Sequence, residues 1–353
     1  MTAPDLRTLI ELGRPALLER HGHRITAHQR RALDAMARCH TGALGTTAMA
    51  CRGCDQLRFR HRACGHRSCP GCQHHATADW LARQRAKLVP ADYFMVTFTL
   101  PAALRPLAYR HPKRVYDLLF RTALSTLRTF GLNHPDLEAE LGATAILHTH
   151  TRRLDYHPHL HVVVPAAGID RQRHWRRLKG GYLFNGKALA MVFRARFLQA
   201  LRRADLVPPA ELPTRWVVQC QRVGTGLPAL KYLSRYLYRG VLAPKQIVAF
   251  DAETQQVTFR YQNSKTRTKA LRTLDLADFL WRLLVHVLPS GYRRVRDYGF
   301  LHGNAKRTRT LVQVALRVQI PMPPPRARSE FRCPTCRSDL VVVTQSPFPR
   351  PST

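Results

Sequence analysis

The sequence predicts an α+β protein behind a helical, cysteine-rich N-terminal module, and three observations carry this. Short runs rich in aromatic and β-branched residues, such as 92–100 and 143–149, are interspersed with long amphipathic runs such as 187–203. They keep no regular βα repeat, which favours an α+β layer fold over a doubly wound parallel sheet. Six of the nine cysteines fall between Cys39 and Cys72, marking a separate module. At 353 residues the chain is long enough for two or three domains.

The elements follow in order. Residues 27–37 read as a helix with Leu33 and Met36 on one side, and 76–88 as another, with Trp80, Leu81 and Leu88 able to share a face before Pro90 stops it. A strand at 92–100 enters a new core. Then come a helix at 115–130, strands at 143–149 and 159–164, an amphipathic helix at 187–203 and a strand at 215–223. A helix at 227–239 precedes a hairpin of 257–261 with 268–274. The last helix, 275–288, has Asp275 as its expected N-cap. Pro321 to Pro325 breaks the chain, and the Pro/Ser-rich end from Ser346 is expected to be disordered. The expected domains are 1–90, a zinc- and DNA-binding module; 91–318, a catalytic domain; and 319–353, a Pro-rich tail.

Charge narrows the function. Lys and Arg number 57 against 22 Asp and Glu, a formal net charge of +35. A folded chain with that excess repels itself unless a polyanion neutralises it, and nucleic acid gains affinity by releasing its condensed counterions. No run of 18 apolar residues exists, and the start (Met1-Thr2-Ala3-Pro4-Asp5) lacks the apolar core of a secretory signal. No membrane partner is expected, and a cytoplasmic location is. In that reducing compartment the cysteines are expected to bind metal rather than form disulfides.

Cys51-x2-Cys54 and Cys69-x2-Cys72 can offer four thiolates to one tetrahedral Zn²⁺. Cys39, Cys64 and His66 lie alongside as possible further ligands. Arg52, Arg58, Arg60, Arg62 and Arg67 suggest that the module touches DNA. Cys333 and Cys336 form a late CxxC without a visible second half; it is either half of an interdomain site or inert, and inert is favoured.

Two constellations in the middle of the chain carry chemistry. His159 and His161 are two apart on a predicted strand, so both imidazoles project to one face as a pre-oriented pair of metal ligands. A metal there polarises a scissile phosphodiester as a Lewis acid. Tyr232 and Tyr236 are four apart on a predicted helix and share a face, with Lys231 and Arg235 on an adjoining face to hold phosphates and Leu230, Leu233 and Leu237 forming the buried stripe. A phenol attacking a phosphodiester conserves the bond energy as a phosphotyrosine.

Together these pieces resemble the two-tyrosine HUH transposases of rolling-circle insertion sequences, the IS91 type. Residues 61–73 look like the end of that family's zinc-binding domain. His157-Pro-His-Leu-His161 resembles its HUH segment and Leu230-Lys-Tyr-Leu-Ser-Arg-Tyr236 its nucleophile helix; 286–292 and 296–301 look like later family segments. The resemblance implies a small antiparallel sheet flanked by helices, and a DNA transposase that nicks one strand, links itself to the 5′ phosphate through tyrosine and transfers that strand. It implies Tyr232 and Tyr236 as alternating nucleophiles and His159 and His161 as ligands of Mg²⁺ or Mn²⁺, with structural Zn²⁺ in the N-terminal module. For the third ligand His157 ranks ahead of Asp155 and His148. The implied partners are single-stranded DNA at element ends and target, with a host helicase, since no GxxxxGK[ST] loop is present. A plasmid replication initiator or relaxase uses the same chemistry, but the zinc module favours a transposase. A non-catalytic zinc-dependent DNA-binding protein is told apart by its failure to cut single strands with divalent metal.

Overall fold

A computed structural model describes residues 5–72, 74–237, 241–263, 266–318 and 331–345, with the side chains of 74–76, 235–237 and 345 outside the described set. The chain divides into two compact units. One comprises Met1–Ala76, Tyr238–Val287 and Met322–Thr353, the other Thr77–Leu237 and Leu288–Pro321.

The second unit is built on a five-stranded sheet, antiparallel throughout. Its order is Val295–Tyr298, Ala143–His150, Tyr156–Pro165, Tyr93–Thr99 and Val217–Arg222. Alternation along each strand gives the sheet two faces. Phe94, Val96, Phe98, Ala145, Leu147, Leu160, Val162 and Val164 take one face. There they join Leu119, Phe193 and Phe197 of the helices Pro112–Leu132 and Gly186–Arg203 in the core. Phe98 meets Phe193 edge-on with ring centres 5.0 Å apart. Burying each such side chain contributes roughly 1.5–3 kcal/mol. The intervening residues, among them Thr97, His148, His159, His161 and Val163, belong to the opposite face. The expected α+β class and antiparallel sheet are those observed.

The first unit is assembled from three stretches of chain. Its opening helix, Leu6–His21, closes on Leu276–Leu284 because Gly13 offers no side chain: a Cβ there would lie 2.5 Å from Leu276 Cγ. The Thr26 N–H donates to the Gln29 side chain at 2.9 Å, and the Gln29 amide donates to the Leu284 carbonyl at 2.9 Å. These bonds tie the helix Ala27–Ala37 to Leu276–Leu284. Asp275 caps the latter as expected, its carboxylate accepting from the Ala277 and Asp278 N–H groups. Leu276–Leu284 also packs on the sheet Ile247–Asp251, Gln256–Gln262 and Lys269–Asp275.

A second sheet in this unit places Thr46–Cys51 between Leu57–His61 and Leu340–Gln345. The linear division at residues 90 and 318 is therefore corrected. Residues 238–287 return to the N-terminal unit because that is where Leu276–Leu284 buries its apolar face. Within the tail, Leu340–Gln345 is an ordered strand held by the ladder to Thr46–Cys51. The remaining expectation of disorder, at 346–353, and the break at 321–325 lie outside the described residues. Among the described residues no helix is long and apolar enough to cross a membrane.

Candidate active site

Three imidazoles converge on the open face of the five-stranded sheet. His148 stands directly across the ladder from His159, and His161 follows two residues along the same strand. The nitrogens of His148, His159 and His161 lie within 4.8 Å of one another. Burial pushes the His159 pKa down to about 4 and that of His161 to about 3, with His148 also well below the usual range. All three are therefore neutral at physiological pH, the form that ligates a metal.

Their orientation is fixed from outside the cluster. His159 Nδ1–H donates to the His157 carbonyl at 2.7 Å, and His161 Nδ1 is paired with the Thr97 hydroxyl at 2.9 Å. With Nδ1 of His159 donating, its Nε2 carries the lone pair, and Thr97 sets His161 the same way when its hydroxyl accepts. Such partners orient ligating imidazoles and raise their basicity. The donor set fits a divalent transition ion.

His157 does not join the cluster. Its Nδ1 accepts from an Arg105 guanidinium N–H at 2.9 Å, and burial, then the Arg105 charge, holds it below the usual histidine range. The expectation that His157 is the third of the set is thus corrected to His148. The cause is a β-bulge: His148 pairs with His159 but His150 pairs with Tyr156, so Thr149 opposes both His157 and Pro158. A bulge leaves one residue unpaired and re-aims its neighbours, which also accommodates a proline without an N–H.

The tyrosine helix, Leu227–Leu237, begins on this same face. Leu230 meets Tyr93, Thr144 and Val163 around a small cavity, and each of these shares a face with the histidines by strand alternation. The preceding loop is strapped to Tyr93 by two backbone bonds of 2.7 Å. Gly226 (φ +80°) then turns so tightly over the Tyr93 ring that a Cβ would lie 2.6 Å from it. Gly226→Ala is therefore expected to cost about 1–3 kcal/mol in strain and displace the helix, read as a lower melting temperature together with slower DNA cleavage. Leu230, Leu233 and Ser234 are buried, while Lys231 and Tyr232 are exposed, Tyr232 at 36%. The side chains of Arg235 and Tyr236 lie outside the described residues.

The cysteines form two clusters, not one. Cys39, Cys64, Cys69 and Cys72 bring their sulfurs within 4.8 Å of one another, and Cys51, Cys54, Cys333 and Cys336 do likewise. The expected set of Cys51, Cys54, Cys69 and Cys72 is corrected accordingly. Cys51 ends a strand that pairs with Leu340–Gln345, so its knuckle meets the late CxxC; the loop beyond Leu57–His61 instead turns back to Cys39. Cys39 and Cys64 are thus cluster members. His66 is not: its Nδ1 accepts from the Ser68 N–H at 3.2 Å and steadies the turn. In the first cluster burial pushes the Cys39 thiol up to about 12, whereas a hydrogen bond from Cys69 brings Cys64 down to about 5. Four such thiols ionise together only beside a cation.

A histidine triad able to hold a metal stands on the sheet face where the tyrosine helix begins, and comparison with known proteins supplies the family. Residues 11–100 match the family model described as "Transposase zinc-binding domain", and residues 142–309 match "Putative transposase". "Putative transposase y4qJ" of Sinorhizobium fredii is 34% identical, covering 91% of this chain and 90% of that protein. "Transposase for insertion sequence element IS801" of Pseudomonas savastanoi pv. phaseolicola is 27% identical, over 87% of this chain and 81% of that one. The chain belongs to the IS91-type transposases, DNA-cleaving enzymes with an N-terminal zinc-binding domain. Among solved structures, the conjugative relaxase TrwC in complex with mutant oriT DNA aligns over 64% of this chain and 73% of its own. Its identity is 12% and its TM-score 0.28.

Proposed function

We propose that this transposase cuts and rejoins single-stranded DNA through a 5′-phosphotyrosine, as in rolling-circle transposition. The observation that carries the proposal is the convergence of His148, His159 and His161 on the sheet face where the tyrosine helix starts. The phenol oxygen of Tyr232 or Tyr236 attacks the scissile phosphorus and loses its proton. The P–O bond to the 3′ oxygen breaks, and that oxygen takes up a proton to leave as a 3′-hydroxyl. Rejoining reverses the exchange: a 3′-hydroxyl attacks the phosphotyrosine and releases the phenol. Two tyrosines serve two cleavages. Lys231, exposed beside Tyr232, and Arg235 hold the flanking phosphates.

His148, His159 and His161 would hold one Mg²⁺ or Mn²⁺, which when bound polarises the scissile phosphate and offsets its developing charge. In the N-terminal domain Cys39, Cys64, Cys69 and Cys72 would hold a structural Zn²⁺. Strand separation is left to a host helicase. Three neutral nitrogens suit Mn²⁺ better than the hard, oxygen-seeking Mg²⁺. Nicking of single-stranded element ends is therefore expected at lower Mn²⁺ than Mg²⁺ concentration and to vanish with EDTA, read on a denaturing gel. Undiminished nicking after complete chelation would overturn the metal-assisted reading.

A further inference from the structure

Two of the four members of the second cysteine cluster, Cys333 and Cys336, lie beyond the zinc-binding domain match at residues 11–100. We propose that Cys51, Cys54, Cys333 and Cys336 form a second zinc site, a two-knuckle clasp that joins the tail to the N-terminal unit.

The two knuckles have the same backbone. In the first, the Cys51 N–H donates to the Gln56 carbonyl at 3.1 Å and the Asp55 N–H to the Cys51 carbonyl at 3.1 Å. In the second, the Cys333 N–H donates to the Ser338 carbonyl at 2.8 Å and the Arg337 N–H to the Cys333 carbonyl at 2.9 Å. The residue after each second cysteine is left-handed, Asp55 at φ 51° and Arg337 at φ 62°. Side chains adopt that conformation infrequently, and both knuckles use it at the same place. Within the first knuckle the Gly53 N–H points at the Cys51 sulfur, 3.4 Å away, as it would toward a thiolate.

The sulfur positions suit one tetrahedral ion. Zn–S bonds of about 2.3 Å set neighbouring sulfurs about 3.8 Å apart. The Cys51–Cys336 and Cys54–Cys333 pairs stand at 3.2 and 3.7 Å, and all four sulfurs lie within 4.8 Å of one another. Those separations are far from the roughly 2.05 Å of a disulfide. Cys54 and Cys333 are 279 residues apart in sequence. The clasp thus closes most of the chain into a loop, alongside the ladder from Thr46–Cys51 to Leu340–Gln345 and the Arg52 N–H bond to the Asp339 carbonyl at 3.0 Å. Because ligands this distant in sequence meet only in the folded chain, zinc binding there stabilises the fold directly.

The test counts zinc released from the full-length chain by a thiol-specific mercurial, which leaves any ion on the histidines uncounted. Two zinc ions are expected from the wild type and one from Cys333→Ser/Cys336→Ser. Cys39→Ser/Cys64→Ser, which strikes the other cluster, also leaves one. A single ion from the wild type, or two retained without Cys333 and Cys336, would overturn the clasp. Alkylation of the wild type gives the same answer without a variant. Cys336 is exposed and should nonetheless resist a maleimide until a chelator is added, becoming reactive together with Cys51, Cys54 and Cys333. Alkylation of Cys336 at the rate of a free surface thiol before chelation would contradict it.

Discussion

Alanine at His148, His159 or His161 is expected to lower the rate of single-strand cleavage by about three powers of ten. That is the consequence of losing several kcal/mol of charge stabilisation at the phosphate. Affinity for the same oligonucleotide should stay close to wild type, because it rests on many cationic contacts spread over a chain of net charge +35. His157→Ala separates two assignments of the third ligand. Since His157 bonds Arg105 and is not among the three histidines whose nitrogens converge, its replacement is expected to retain most cleavage, whereas His148→Ala is not. Rates at saturating Mn²⁺, with melting temperatures to confirm that each variant folds, decide the matter. Equal losses at His157 and His148 would contradict the geometry.

The Tyr232→Phe/Tyr236→Phe double variant is expected to form no covalent DNA adduct. Phenylalanine keeps the ring and removes only the attacking oxygen, so the helix Leu227–Leu237 keeps its packing through Leu230 and Leu233. Positions 232 and 236 are four residues apart on the helix, about 6 Å of axial rise, a spacing suited to two successive cleavages. Single variants are therefore expected to lose transposition while keeping partial nicking by the remaining tyrosine. Positioning is a large part of the barrier reduction, so wild-type tyrosines on a displaced helix, as with Gly226→Ala, should also cut slowly. A gel that resolves nicked DNA from protein-linked DNA separates these outcomes.

The catalytic sheet was legible because its strands carry strong local signals. Tyr93–Thr99 and Ala143–His150 are aromatic or β-branched runs bounded by breakers, and the HxH pair obeys strand alternation. Alternation also misled once. Counting by twos from His161 through His159 reaches His157, but the bulge opposite Thr149 breaks the count, and its only sequence mark is Pro158. Thr97 and Arg105 were missed as orienting partners because each meets its histidine only in the folded chain, Thr97 across the ladder and Arg105 from the helix Arg105–Arg110, with no local spacing to announce it. The cysteine pairing failed for a related reason. Nearness in sequence favoured Cys69 and Cys72 as partners of Cys51 and Cys54, whereas strand pairing carries that knuckle to the tail. The one available signal was the repeated CxxC spacing at Cys333 and Cys336, which reads as inert when no partner stands nearby. Leu6–His21 escaped notice because Pro15 interrupts its pattern, although the structure keeps it helical.

The most direct test of the central claim is to trap the protein–DNA adduct and locate the bond. The full-length chain would be incubated with single-stranded element ends and Mn²⁺, denatured, digested, and the nucleotide-bearing peptide sequenced by mass spectrometry. The expected result is a 5′-phosphate linked to Tyr232 or Tyr236, formed only with divalent metal and absent from His161→Ala. An adduct on any residue outside Leu227–Leu237, or cleavage that leaves a free 5′-phosphate with no protein attached, would contradict it.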